Sequence, residues 1–271
     1  MSEKTDRPLI LKEDIIAGLR KAGLKAGASV FAHASLSSFG FVMGGAETAI
    51  RALLEVVGPE GTLMMPAQTW KNLDPETGVH WLEPEAWWPA IRENWPAFDP
   101  AVTPSIGMGA VAEMLRTWPG SRRSSHPARS VCAAGKHAAY LTENHDLSDI
   151  FGDDSPTGRL YKLDGQVLLM GVGYDKNTSI HLAEYRADWD KPMSREWSAV
   201  YREGKRERVC YDTIAVDDSD FVALGKDWDS FAGIRPVLVG NAEIRCFDQR
   251  PFVDWSARWI TEHRKKTAPG E

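Results

Sequence analysis

Along the first third of the chain the apolar positions change period in a regular order. Leu9, Leu11, Ile15, Ile16 and Leu19 recur at near-helical spacing and stop at Gly23, which predicts an amphipathic helix over about 11–22. Ser29-Val30-Phe31-Ala32-His33 is short and apolar, the pattern of a buried strand. A loop from Ala34 to Gly45 follows, then a helix over about 46–57 that closes at Gly58-Pro59-Glu60-Gly61. Thr62-Leu63-Met64-Met65-Pro66 is the next strand. Strand, helix and strand joined by a right-handed crossover make the two strands parallel and the fold α/β at its start. Further on, the pattern predicts a helix over about 107–116, a strand at 166–173 with a glycine-rich exit, and a helix beginning near Thr178.

The last hundred residues alternate instead. Strand-like pieces around 197–203, 207–216 and 237–248, with Gly204 and Gly240-Asn241 as turn signals, predict antiparallel hairpins. A terminal helix from about 250 carries Phe252, Trp255, Trp259 and Ile260 and fades into the basic tail His263-Arg264-Lys265-Lys266. Residues 70–99 differ from both parts: Trp70, Trp81, Trp87, Trp88 and Trp95 alternate with Asp74, Glu76, Glu83, Glu85, Glu93 and Asp99. The stretch reads either as a tryptophan-anchored surface segment or as an aromatic, anionic lid facing a cationic ligand. With no internal repeat and no long linker, residues 1–271 are expected to form one interwoven α/β domain with this insertion at about 70–99.

Composition narrows the possible partners. Among 271 residues, 43% are hydrophobic and 26% charged, which excludes a disordered or collagen-like chain. Thirty-two Lys and Arg against 38 Asp and Glu give a net charge of −6, opposed to broad nucleic-acid binding and suited to a small cationic substrate. No apolar run approaches a membrane span, and Met1-Ser2-Glu3-Lys4-Thr5-Asp6 lacks the order of a secretory signal, so the cytoplasm is the expected compartment. Cys132, Cys210 and Cys246 are isolated from one another, so no disulfide framework and no metal site is expected.

Three clusters carry possible chemistry. The serine-rich loop that ends at Gly44-Gly45 is either a connecting loop with a helix cap or a phosphate cradle; it matches neither the Walker nor the dinucleotide glycine pattern. In Asn177-Thr178-Ser179-Ile180-His181-Leu182-Ala183-Glu184, a helix capped by Thr178 would put His181 and Glu184 on one face, with Asp188 on the same side. That pair is either a surface i,i+3 contact, or a carboxylate orienting an imidazole for proton transfer, or the beginning of a metal site. Arg123-Ser124-Ser125-His126-Pro127 is either a polar turn or a contact for an anionic cofactor. Ser35, Ser105 or Ser125 paired with His181 would make a hydrolase, although the Gly-x-Ser-x-Gly elbow is missing.

Taken in order, these segments resemble the aminoglycoside 3-N-acetyltransferase family, antibiotic acetyltransferases distinct from the GNAT fold. The matching text is His33-Ala34-Ser35-Leu36-Ser37-Ser38 with Gly44-Gly45, Val57 through Pro66, Phe98-Asp99-Pro100 and Thr103 through Gly109. It continues through Arg123 to Pro127, Asp154-Ser155-Pro156, Leu168 through Gly173 and Asn177 through Glu184, covering about residues 10–190, and more loosely Tyr211 to Gly225. The resemblance implies a mixed-sheet α/β core with an additional antiparallel β-rich C-terminal portion. It also implies direct acetyl transfer from acetyl-CoA to the 3-amino group of a 2-deoxystreptamine ring, without a metal. In that scheme His181 is the base, Glu184 holds its ring, and Thr178 with nearby N–H groups stabilises the oxyanion. Ser35, Leu36, Ser37 and Ser38, with Thr103 and Ser105, form the coenzyme A cradle, and Asp74, Asp188 and Asp217 contact the aminoglycoside. The tryptophan-rich insertion and the C-terminal third depart from familiar resistance members, so the same fold acting on another amine metabolite is the main alternative. A serine hydrolase and a binding protein without turnover are the others.

Overall fold

The computed structural model describes residues 6–78 and 81–264. The expected leader-free start over Met1–Thr5 and the basic residues Lys265 and Lys266 lie outside the described residues. The strands are β1 (Leu9–Ile10), β2 (Ser29–Ala34), β3 (Phe41–Val42), β4 (Thr62–Pro66), β5 (Arg122–Arg123), β6 (Val131–Gly135), β7 (Gln166–Met170), β8 (Met193–Arg202), β9 (Lys205–Ile214), β10 (Val237–Val239) and β11 (Ala242–Asp248). The α-helices are α1 (Lys12–Lys21), α2 (Gly45–Val57), α3 (Trp88–Asn94), α4 (Gly109–Arg116), α5 (Ala138–Thr142), α6 (Pro156–Lys162), α7 (Ser179–Arg186), α8 (Phe221–Ala232) and α9 (Gln249–His263).

A seven-stranded mixed sheet in the order β10-β11-β7-β2-β4-β6-β5 forms the centre. Its middle strands β2, β4 and β7 are parallel, with Val30 opposite both Leu63 and Gln166. They are continuous apolar runs because helices cover both faces. Val30, Ala32, Leu63 and Leu168 face a core shared with Ile15, Leu19, Ile50 and Leu53 of α1 and α2. The alternate residues Phe31 and Met64 pack with Leu141 and Leu160 of α5 and α6, and Val167 and Leu169 pack with Ile180 and Phe252 of α7 and α9. The three parallel strands therefore deliver their C-terminal ends to one edge of the sheet, the place where α/β proteins bind ligands.

The C-terminal portion divides in a way the alternating pattern did not specify. β8 and β9 form a separate two-stranded antiparallel sheet, turning at Glu203-Gly204, both with positive φ as a two-residue hairpin of primed type requires. β10 and β11, also a hairpin, join the main sheet, with β11 antiparallel to β7. Ile244 and Phe247 of β11 are both buried, on opposite faces, so this strand needs cover on two sides and finds it only in the large sheet. Helix α8, absent from the expectations, packs Phe221, Leu224 and Trp228 into the core that also holds α7 and α9.

The insertion lies against the β8–β9 hairpin. Leu73 bridges to Ser198 and Phe98 to Val200, while the Trp81 and Trp95 indoles donate to Leu73 O and Asn72 Oδ1 at 2.9 and 2.8 Å. Arg206 of β9 donates to the carbonyls of Trp95 and Arg92. These contacts fit the tryptophan-anchored surface reading. Among the described residues no helix is long and apolar enough to cross a membrane.

Candidate active site

Helix α7 starts just beyond the C-terminal edge of β7 and places His181 and Glu184 one turn apart on one face. His181 Nδ1 lies 2.5 Å from Glu184 Oε2; the Glu184 side chain is 0% exposed and that of His181 16%. A buried carboxylate needs all its lone pairs occupied. Glu184 Oε1 accepts from the Asp217 N–H at 3.0 Å and from Arg264 Nη1 at 2.5 Å. With Nδ1–H given to the carboxylate, the lone pair of neutral His181 is on Nε2. The imidazole is stacked on Phe151 (centroids 4.6 Å apart) and tilted against Phe221 (4.9 Å), so packing fixes its plane. Among the described residues no serine hydroxyl hydrogen-bonds this ring; Ser124 pairs instead with His145 Nδ1 at 2.9 Å, both buried.

Thr178 occupies the position before α7, but its backbone is already helical and its side chain does not cap. Asn177 Oδ1 accepts the Ser179 N–H at 3.1 Å instead. The Thr178 side chain reaches β2, where His33 Nε2 lies 2.9 Å from Thr178 Oγ1 and accepts the Thr178 N–H at 3.3 Å. Burial, with the nearby charge of His181, lowers the His33 pKa to about 3, so His33 is a neutral hydrogen-bonding strut.

The serine loop lies at the same edge. Ser35 N–H donates to Met170 O at the end of β7, and the Ser38 hydroxyl donates to Gly171 O while its oxygen lies against Ser35 Oγ, each at 2.9 Å. Gly171 has φ +67°, and a Cβ there would stand 2.7 Å from that of Ser38, so only glycine lets loop and strand exit meet. Leu36 packs against the main core and Ser37 is exposed. Thr103 and Ser105 belong to the segment tied to the end of β4 through Thr69 Oγ1 to Pro104 O (2.7 Å) and Ile106 N–H to Gln68 O (2.8 Å). Ser105 donates to Glu113 at 2.6 Å, and Thr103 Oγ1 accepts the Asp99 N–H.

Not every expected contact is brought to this edge. Asp74, 2% exposed, already accepts from Arg92 twice at 2.8 Å, from Arg208 and from the Glu76 N–H. Its coordination is filled by the insertion and β9, so it is a structural ion pair and not an open anionic wall. Asp188 lies beyond α7, because Ala187 turns to extended backbone with ψ 150°, so it does not share the helical face of His181. Its N–H donates to Thr261 Oγ1. Arg123 donates to Ser130 Oγ, Thr69 Oγ1 and the carbonyls of Ala67 and Thr103, which commits its guanidinium to the fold rather than to a cofactor. Asp217 does reach the site: it is exposed, and its N–H bonds Glu184. Together with Trp189, Asp190, Lys191, Pro192 and Arg264 it lines a cleft of about 590 Å³. Among the described residues no cluster of metal-ligating side chains is present.

Four participants escaped the sequence reading. His33 lay within a matching motif without a role, Phe151 and Phe221 had no signal beyond hydrophobicity, and Arg264 read as part of a solvated tail. A basic residue in the last turn of an amphipathic helix is ordinarily a dipole partner, so nothing local singles it out.

The chain matches the family model described as aminoglycoside 3-N-acetyltransferase over residues 31–261. It is 37% identical over 256 residues, 94% of each chain, to the SPbeta prophage-derived aminoglycoside N(3')-acetyltransferase-like protein YokD of Bacillus subtilis. Its structure superposes on that of AAC-IIIb in a binary complex with CoASH at TM-score 0.85 and 26% identity, covering 97% of this chain and 100% of that one. AAC-VIa bound to sisomicin is similar at TM-score 0.85 and 30% identity, covering 95% and 99%. With the mixed sheet and the His181–Glu184 pair beyond the C-terminal ends of its parallel strands, these likenesses establish that the chain belongs to the aminoglycoside 3-N-acetyltransferase family.

Proposed function

We propose that this protein acetylates the 3-amino group of the 2-deoxystreptamine ring of aminoglycosides by direct transfer from acetyl-CoA, a modification that confers resistance. The observation that carries the reading is an imidazole whose Nδ1 is locked to a buried carboxylate while its Nε2 is left to accept a proton. An ammonium has no lone pair for attack, so the incoming amine must lose a proton. The amine nitrogen, its ammonium proton released to solvent, attacks the thioester carbonyl carbon, and His181 Nε2 takes the proton that the nitrogen then sheds; the C–S bond breaks, and the imidazolium returns that proton to the departing thiolate. Glu184 stabilises the transient imidazolium. Thr178 donates its single hydroxyl proton to the oxyanion in place of His33, which keeps the Thr178 N–H. A positioned donor of this kind is worth about 3–4 kcal/mol.

Coenzyme A would be held by the loop Ser35, Leu36, Ser37 and Ser38 with Thr103, whose hydroxyl proton is not used by its bond to Asp99, and with Ser105. Asp217, and Asp188 further out, supply carboxylates for the ammonium groups of the acceptor. The negative charge of the chain suits a polycationic partner and not a nucleic acid. The cytoplasm, where acetyl-CoA is available, is the proposed compartment.

Incubation with acetyl-CoA and gentamicin, kanamycin, tobramycin or apramycin, following thiol release, product mass and regiochemistry by NMR, tests the proposal. We expect a mono-acetylated product at the 3-amino group. Absence of any acetylated aminoglycoside refutes it, and acetylation only of amines from a metabolite extract assigns the fold to another acceptor. His181→Ala should lose nearly all kcat and still bind acetyl-CoA.

A further inference from the structure

We infer that Arg264 is a positioning residue for this acetyl transfer, holding Glu184 against His181 and dividing the carboxylate's charge between its own guanidinium and the imidazole. The inference rests on the reading of His181 as the base.

Four hydrogen bonds tie one guanidinium to two separate segments. Nη1 reaches Glu184 Oε1 on α7 at 2.5 Å; Nη2 reaches Asp217 O and Asp220 Oδ1, each at 2.7 Å; and Nε reaches Asp220 Oδ2 at 2.8 Å. The guanidinium also lies over the Trp189 ring, 4.6 Å from its centroid, and its side chain is 9% exposed. Asp220 immediately precedes Phe221, whose ring packs on His181. One side chain at the end of α9 thus fixes the carboxylate that orients the base, the start of the helix that packs on the base, and a wall of the cleft. Only a planar fork of five N–H donors satisfies that geometry; a lysine ammonium cannot hold Asp220 in bidentate fashion and Glu184 at once.

Charge makes the same case. The charged and titratable groups beside His181 are Glu184 on its own helix, Asp217 before α8, His33 on β2, neutral through burial, and Arg264 after α9, which reaches the ring through Glu184; Phe151 and Phe221 are uncharged. Glu184 and Asp217 set carboxylate charge beside the imidazole that takes the proton from the amine. Arg264 is the cation in this set that offsets them.

The test uses the full chain with Arg264→Ala, Arg264→Lys and, in parallel, His181→Ala, measuring kcat, the acetyl-CoA KM and the pH profile of kcat. Arg264→Ala should lose about 100-fold in kcat, the scale of a misplaced catalytic group, with the acetyl-CoA KM unchanged. The acid limb of its pH profile should move up by about one pH unit, and millimolar guanidinium should restore at least part of the lost kcat. Arg264→Lys should return the acid limb toward that of the parent, because charge is restored, while kcat stays low. A folded Arg264→Ala with parental kcat and an unmoved acid limb overturns the inference. If Arg264→Ala does not fold, Arg264→Lys with parental kcat overturns it instead. Should His181→Ala keep its turnover, the assignment of the base fails first; an inactive His181→Ala beside a parental Arg264→Ala removes the role of Arg264 alone.

Discussion

Replacing Glu184 by glutamine alters one end of a fully buried group and almost nothing of its shape, yet the hydrogen-bond directions force a specific outcome. Oε1 receives two obligate donors, the Asp217 N–H and Arg264 Nη1. The glutamine carbonyl must therefore take that place, and its NH2 then points at His181 Nδ1, 2.5 Å from the atom it replaces. The imidazole answers by accepting at Nδ1 and carrying its proton on Nε2, the tautomer that cannot take a proton from the amine. Turning the amide over to recover the working tautomer would set NH2 against two donors, one charged. At about 1.5–3 kcal/mol for the bond to the charged donor and about 0.5–1.5 kcal/mol for the bond to the neutral one, this costs about 2–4.5 kcal/mol, equivalent to roughly 30- to 2,000-fold in rate. We therefore expect Glu184→Gln to lower kcat by about that factor with the acetyl-CoA KM unchanged. Steady-state thiol release gives the rates, and ¹⁵N NMR of the imidazole reports the tautomer. A kcat within tenfold of the parent, or an Nε2 that remains unprotonated, refutes the reasoning.

Thr178→Val, which keeps shape and removes the hydroxyl, should lower kcat by about 100-fold without changing acetyl-CoA binding; equal kcat removes Thr178 from the oxyanion site. Asp217→Asn and Asp74→Asn should separate cleanly. The first raises the aminoglycoside KM with stability kept; the second loses about 2–3 kcal/mol of stability with that KM unchanged, because Asp74 serves Arg92 and Arg208. Denaturant midpoints and KM values side by side decide this, and a reversed pattern refutes both roles. Acid should destabilise the fold. Burial lowers the pKa of His33 to about 3 and of His145 to about 4, both from 6.5. In that window the unfolded chain binds more protons, so stability present above pH 6.5 is lost as pH falls toward those values. The loss is on the order of 2 kcal/mol for each histidine between pH 7 and pH 5. Urea midpoints at the two pH values measure it, and equal midpoints refute it.

The amino-acid sequence by itself determined the local elements and the contacts that run along them. The spans of β2, β4 and α2 follow from apolar period and glycine breaks to within a residue or two, and the two C-terminal hairpins follow from their turn residues, with β8 starting at Met193 rather than near 197. The His181–Glu184 pair is legible for the same reason, because three residues along a helix fix a shared face whatever the rest of the chain does. Tertiary structure decided the remainder. The hairpin of β10 and β11 joins the main sheet because both its faces are apolar, a demand met only by neighbours distant in sequence. His33 meets Thr178 across 145 residues, Arg208 meets Asp74 across 134, and Arg264 meets Glu184 across 80. In each case a residue type that is ordinarily solvated, His33, Asp74 or Glu184, is instead buried and takes a partner remote in sequence. Burial makes that partner obligatory, since an unpaired charge or donor inside the fold is too costly to keep. No local pattern encodes which partner it will be, so Asp74 and Arg264 exchange their expected roles, the first structural and the second beside the chemistry.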